Sequence, residues 1–191
     1  MGRIKEMEME TERLLLRQWR DEDLAPFAAM GRDPEVMRYF PALLSEEESA
    51  DGMERQRGLI AARGWGFWAL EEKASGDFVG FVGLAVPSAE LPCMPCVEAG
   101  WRLRRASWGR GYATEAARRA LAFGFEILGL DEIVSFTALP NLPSQGVMRR
   151  LGMRDSGRDF DHPALEAGHP LRRHCLYLLS EAEWRAAAPE V

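Results

Sequence analysis

Along this chain hydrophobic positions alternate with a period of two in some stretches and return every three to four residues in others, so strands and helices are interleaved. The short apolar run Leu14-Leu15-Leu16-Arg17 predicts a first strand. Asp21-Glu22-Asp23 supplies an N-cap and an acidic first turn for a helix carrying Leu24, Phe27, Ala28 and Met30 on one face, ended by Gly31. After Asp33-Pro34, the spacing of Val36, Met37 and Tyr39 predicts a second short helix, and Ser45-Glu46-Glu47-Glu48 forms a capping box that opens a longer one to about residue 63. Stretches 66–70 and 78–86 are rich in aromatic and β-branched residues and flank Ala74-Ser75-Gly76-Asp77, which predicts a hairpin.

In the next strand, 97–104, Val97, Ala99, Trp101 and Leu103 face one way, while Glu98, Gly100, Arg102 and Arg104 face the other. Two glycines follow, then an alanine-rich helix over 112–128 with Ala113, Ala116, Ala117, Ala120, Phe123 and Ile127 on its core stripe and Gly129 as its stop. A strand over 132–138 leads to a short helix opened by Pro143-Ser144, with Val147, Met148 and Leu151 inward and Gly152 at its end. Two more strands, 154–161 and 173–179, are separated by a loop holding Pro163 and Pro170, and a last helix, 181–188, starts at Ser180. No internal repeat or linker interrupts this order, so one domain is expected over 1–191, its core at about 11–184.

Composition narrows the class. With 47% hydrophobic and 28% charged residues, the chain matches a folded globular protein rather than a disordered one. The polar start, Met1 to Glu12, lacks a signal-peptide pattern, and no stretch approaches the ~20 apolar residues that cross a bilayer. A cytoplasmic protein without membrane partners is therefore expected. The net charge of −6 divides into −8 over residues 1–100 and +2 over 101–191. Nucleic-acid binding rests on basic contacts to phosphate, so the acidic half argues against it. If that half borders an acceptor pocket, it favours a cationic acceptor such as an amine; a solvated acidic surface is the plainer account. Cys93-Met94-Pro95-Cys96 has the spacing of a metal half-site, but no second pair exists, and His162, His169 and His174 do not share a helical face. No metal is expected.

The most informative segment is Trp108-Gly109-Arg110-Gly111-Tyr112-Ala113-Thr114-Glu115-Ala116, where a strand passes through two glycines into a helix. Such a junction binds anions: glycine lets the backbone come close, and the helix start offers unpaired N–H groups and the positive end of its dipole. Arg102, Arg104, Arg105, Arg110, Arg118 and Arg119 lie near in sequence and suggest several phosphates. A P-loop requires Lys and then Ser or Thr after the second glycine, and here Tyr112 and Ala113 follow. The dinucleotide fingerprint wants a small third residue where Thr114 stands.

Taken with Glu98-Ala99-Gly100-Trp101-Arg102-Leu103, Asn141-Leu142-Pro143-Ser144 and Leu151-Gly152-Met153, this segment resembles the GNAT acetyltransferase superfamily. The similarity is to the branch of bacterial ribosomal-protein N-terminal acetyltransferases and their small-molecule-acting relatives, over about residues 11–184. One departure is Ala106, where the superfamily pattern has Gln or Arg. The resemblance implies an α/β (α+β) GNAT fold, a mixed, mostly antiparallel twisted sheet of about seven strands flanked by helices, splayed where one strand pair is parallel. It implies acetyl-CoA as cosubstrate and an amine as acceptor, with the helices after the first strand lining the acceptor side. The sequence leaves the oligomeric state open, with a homodimer as the default expectation.

On this resemblance Leu103, Arg104 and Arg105 run beside the pantetheine arm, and main-chain N–H groups of Trp108, Gly109, Arg110, Gly111, Tyr112 and Ala113 hold the diphosphate. Asn141 contacts the arm, and Ser144 donates toward the departing sulfur. Both also read as plain helix caps. Glu98 is the candidate general base, the structural alternative being an ion pair with an arginine on a neighbouring strand. Where many relatives have a tyrosine acid, this chain has Met148, which carries no proton to give. The segment Phe160-Asp161-His162-Pro163 borders the acceptor on the same resemblance and is otherwise a surface loop. Trp65, Phe67 and Trp68 read as core or pocket wall. Absence of a placed cysteine favours direct attack in a ternary complex, and a non-catalytic acyl-CoA-binding module is the alternative.

Overall fold

The computed structural model describes residues 8–187. The first seven residues of the polar start and position 188 of the last helix lie outside them. One nine-stranded sheet runs through the molecule in the order β1-β2-β3-β4-β5-β6-β9-β7, with β8 also on β9. The strands are β1 (Met9–Glu10), β2 (Leu14–Arg17), β3 (Phe67–Glu72), β4 (Phe78–Ala85), β5 (Glu98–Leu103), β6 (Glu132–Ala138), β7 (Arg154–Asp155), β8 (Phe160–Asp161) and β9 (Arg173–Ser180). The helices are α1 (Leu24–Arg32), α2 (Glu46–Arg63), α3 (Tyr112–Ala122), α4 (Leu142–Arg150) and α5 (Glu181–Ala187). Every pairing is antiparallel except β5 with β6.

Strand alternation assigns the helices to faces. Trp68 is sealed and meets Phe123, just past α3, edge-on at 5.4 Å. Its neighbour Phe67 points the other way, to Phe81, which in turn packs on Phe27 of α1. Helix α1 therefore covers one face and α3 the other, and the main apolar core is divided between them. At the edge of the α1 side, Arg17 is 2% exposed, with its terminal nitrogens on Asp23 at 2.7 and 2.9 Å and its Nε on Glu71 at 2.6 Å. The capping box at Ser45 forms as the sequence predicts, each group bonding the other's backbone.

Several expectations need correction. The short helix at Val36, Met37 and Tyr39 is a series of turns, in which Asp33 accepts from the backbone of Glu35 and Met37, because so few residues before Pro41 cannot repay helix nucleation. Helix α3 widens into a π turn at Phe123–Ile127, where Leu128 N–H bonds Phe123 O. That extra residue rotates the stripe, so Ile127 is 56% exposed and Phe125 is buried, stacking on Trp184. The single strand over 154–161 is two, β7 and β8, broken at Gly157 with φ of 65°. A strand also precedes the expected core: Met9 is buried opposite Leu16.

Candidate functional site

Strands β5 and β6 share one register pair, Glu98 with Val134, and then separate. Side chain Ser135 ties the base of the split by donating to Ala99 O at 2.9 Å. Beyond it the β5 edge toward β6 has no strand neighbour, and a cavity of about 930 Å³ opens there. Since β5 leads to α3 and β6 to α4, both helices start at the open end of the split.

The α3 start carries the glycine turn. Gly109 and Gly111 have φ of 73° and 79°, and an added Cβ would meet nothing closer than Arg13 at 3.6 Å, so their left-handed backbone, not space, demands glycine. Main-chain N–H groups from Gly109 to Thr114 donate to no described residue, whereas that of Trp108 is committed to Arg105 O at 3.1 Å. The free set thus begins one residue later than the sequence reading has it. The Trp108 indole donates to Leu103 O at 2.9 Å and leaves its ring 46% exposed at the cavity rim. Glu115 accepts from Thr11 and from Arg13, which fixes this helix start against the β1–β2 turn.

The neighbouring arginines scatter. Arg104 bonds Asp77 and Ser107, Arg110 bonds Glu72, and Arg118 bonds Arg150 O; Arg104, Arg105 and Arg110 do not line the cavity. Tyr112 is buried with its hydroxyl on Glu72, so only its main chain can face a ligand. A basic residue that sequence spacing missed, Arg150 at the end of α4, lines the cavity beside Thr114, 3.4 Å from its hydroxyl. It is 36 residues from Thr114 in sequence, and only the packing of α4 beside α3 brings it there.

At the α4 start, Asn141 caps the helix by accepting from Ser144 N–H at 3.3 Å, while its amide nitrogen donates to Ser144 Oγ at 3.1 Å and Thr137 Oγ1 at 2.8 Å. An Oγ that already accepts has its own proton left to give. Met148 is 1% exposed, an apolar filler beneath the cavity.

Glu98 lines the same cavity and has no ion pair or hydrogen bond among the described residues. The expected structural alternative, an arginine on a neighbouring strand, does not occur. Burial pushes its carboxyl up to about 7. Phe67 forms pocket wall, and Trp68 is core. His162 and His174 also line the cavity, their ring centres 4.9 Å apart and both held below the usual imidazole range by burial. Among the described residues no group of three or more His, Cys, Asp or Glu could hold a metal ion, and no helix is long and apolar enough to cross a membrane.

A split sheet with two helix starts at its mouth and a free-amide glycine turn defines a class of acetyltransferase. The GNAT acetyltransferase domain model matches residues 13–154, and the chain belongs to that family. It is 31% identical over 147 residues to the uncharacterized protein YkkB of Bacillus subtilis, covering 76% of this chain and 84% of that one. It is 32% identical over 164 residues to FsC-acetyl coenzyme A-N(2)-transacetylase of Aspergillus fumigatus, covering 80% and 67%. Among solved structures, a GNAT acetyltransferase from Bacillus anthracis superimposes with a TM-score of 0.76 at 24% identity, covering 92% of this chain and 99% of that one, which shows a common fold.

Proposed function

We propose that this protein transfers an acetyl group from acetyl-CoA to a primary amine by direct attack in a ternary complex. The observation that carries the reading is an unpaired, half-buried Glu98 in the same cavity as the free amides of the glycine turn. Amides from Gly109 to Thr114 and the Arg150 side chain suit the diphosphate, because converging N–H donors at a helix start replace the water lost by an oxyanion. Leu103 and the open β5 edge, with Asn141 across the split, suit the pantetheine arm.

In the transfer, Glu98 takes a proton from the incoming ammonium, directly or through water. The amine nitrogen then bonds the acetyl carbon, the carbon–sulfur bond breaks with its electron pair on sulfur, and the extra proton left on the new amide nitrogen passes to that thiolate, directly or through water. Ser144, its oxygen engaged by Asn141, donates a hydrogen bond to that sulfur. A thiol of ordinary acidity (pKa ~8.5) leaves readily with such support, so Met148 in place of a tyrosine is no obstacle. No cysteine lines the cavity, which supports direct attack over a covalent acetyl carrier. All three cysteines are free, in keeping with a reducing compartment such as the cytoplasm.

Met148 also favours a second reading, a module that binds acyl-CoA without catalysis, since an apolar residue stands where a general acid would act. A panel of amines with acetyl-CoA, read by mass spectrometry of the intact product, separates the two. The transferase gives acetylated product that falls sharply in Glu98→Gln; the module binds CoA tightly and releases none with any amine.

A further inference from the structure

Besides Glu98, Arg102 is a charged side chain on the inner part of the acceptor face with no hydrogen-bond or ion-pair partner among the described residues. It stands on β5 on the α1 side of the sheet, cross-strand from Phe81, and lines the cavity. Its guanidinium carbon lies 4.0 Å from the ring centre of Phe40 and 5.3 Å from that of Phe81, and neither ring carries a counter-charge. No hydrogen bond or ion pair engages it, and its Nε is sealed from solvent without an acceptor. Burial lowers its affinity for the proton to about 10, a direction opposite to that of an arginine held by a carboxylate. A planar fork of donors, desolvated and left unpaired at a cavity wall, matches the oxygens of an anion.

Its surroundings set the geometry of that anion. Glu98 lies on the same strand face four residues earlier, roughly 13 Å away along the backbone, with the Phe67 ring packed over Gly100 between them, 3.0 Å from where a Cβ would stand. One end of the cavity thus takes an ammonium and the other an anion. Other charged groups there, Glu35 and Arg38 at the mouth, are exposed, and burial lowers the proton affinity of the two histidines. The acidic half of the chain would favour a cationic acceptor only if it bordered the pocket, and its members near the sheet edge point elsewhere. Glu71, Glu72, Asp23 and Asp77 are all in ion pairs outside the cavity.

We propose that Arg102 reads a carboxylate on the acceptor, so that the molecule acetylated is an amino acid, its amine directed to Glu98 and its carboxylate to the guanidinium. The proposal rests on the transferase reading of the cavity and names its substrate class. It sets amino acids against polyamines and aminoglycosides, which carry amines without a carboxylate and would place a second cation beside Arg102. The discrimination arises because a site built around a buried charged donor rejects an analogue that leaves the donor unpaired.

The test pairs each amino acid with its decarboxylated amine: histidine with histamine, tyrosine with tyramine, lysine with cadaverine, and a spermidine control. Binding is read first, by calorimetry on protein loaded with CoA, and turnover with acetyl-CoA second. At least one amino acid is expected to bind and to react with a kcat/KM on the order of 100-fold above its decarboxylated partner. In Arg102→Met that ratio falls toward one through KM for the amino acid, with KM for acetyl-CoA unchanged; Arg102→Lys recovers part of it. Preference for the decarboxylated amines or spermidine overturns the proposal, as does an Arg102→Met effect on acetyl-CoA instead of the acceptor. Amino-acid binding that depends on Arg102 without any turnover overturns the transferase reading and leaves the carboxylate site standing.

Discussion

Glu98 and Arg102 stand on one face of β5, open into one cavity, and pair neither with each other nor with any other described residue. Two unmatched, half-buried charges of opposite sign cost stability, and a fold keeps such groups where a ligand supplies the missing partners. The other buried charges of this protein behave differently. Arg17 is placed more deeply still, 2% exposed, and is fully engaged by Asp23 and Glu71.

Because the base works only when deprotonated, kcat/KM at saturating acetyl-CoA should rise with pH through about 7, the value to which burial brings Glu98, and level off above it. Glu98→Gln should remove this limb and lower the plateau by roughly 10²- to 10⁴-fold. A variant that keeps within a few fold of wild type at pH 8 removes Glu98 from the mechanism.

The same shift predicts a stability effect of the opposite kind. An unfolded glutamate ionises near ~4.3, so between there and about 7 the folded chain holds a proton the unfolded chain has lost, and stability falls as pH rises through that window. Glu98→Gln should therefore stabilise the fold at pH 8 by roughly 2 kcal/mol, with the gain vanishing near pH ~4. Thermal unfolding of both proteins at two pH values reads it directly.

Gly111→Ala should lower CoA affinity about tenfold or more, because an alanine resists the left-handed turn that aims the amides, at a stability cost of roughly 1–2 kcal/mol. Gly129→Ala is the control. Its φ is 65°, an added Cβ meets nothing within 4 Å, and it lies outside the cavity, so it should cost similar stability with CoA affinity unchanged. Calorimetry with CoA distinguishes the two.

Ser144→Ala should reduce kcat by about 10- to 100-fold with little change in either KM, since the hydroxyl acts on the departing sulfur. Asn141→Ala loses the helix cap as well, adding about 1 kcal/mol of destabilisation. Steady-state kinetics with chemical denaturation of both variants checks the separation; equal kinetic and stability losses in Ser144→Ala would reduce that residue to a cap.

Asp23→Ala should destabilise by roughly 3 kcal/mol, because it removes the carboxylate from the terminal nitrogens of the buried Arg17 guanidinium and leaves only Glu71 on its Nε. Arg17→Met in the same chain should return part of that loss, which urea unfolding of the single and double variants measures.

How far the sequence went can be judged from particular residues. The capping box at Ser45, the strand alternation from Val97 to Leu103 and the glycine pair before α3 are local patterns, and each forms as read. The missing helix at 36–39 and the exposed Ile127 went unseen because a turn of few residues and a π turn inside a helix leave no mark on hydrophobic spacing. Proximity in sequence also misled: six arginines beside the glycines looked like one phosphate site. Folding sends Arg104 to Asp77, Arg110 to Glu72 and Arg102 to the opposite face of the sheet, and brings Arg150 in from α4.

By itself the sequence determined which residues alternate, where helices begin, and that a bare backbone turn suited to phosphate follows β5, all of which depend on neighbours within a few positions. Only the tertiary structure decided that β5 and β6 part after one register pair, that Arg150 comes beside Thr114, and that Glu98 and Arg102 share a cavity without partners. Those outcomes depend on which distant side chains desolvate or neutralise one another, and in this chain the deciding contacts join segments tens of residues apart.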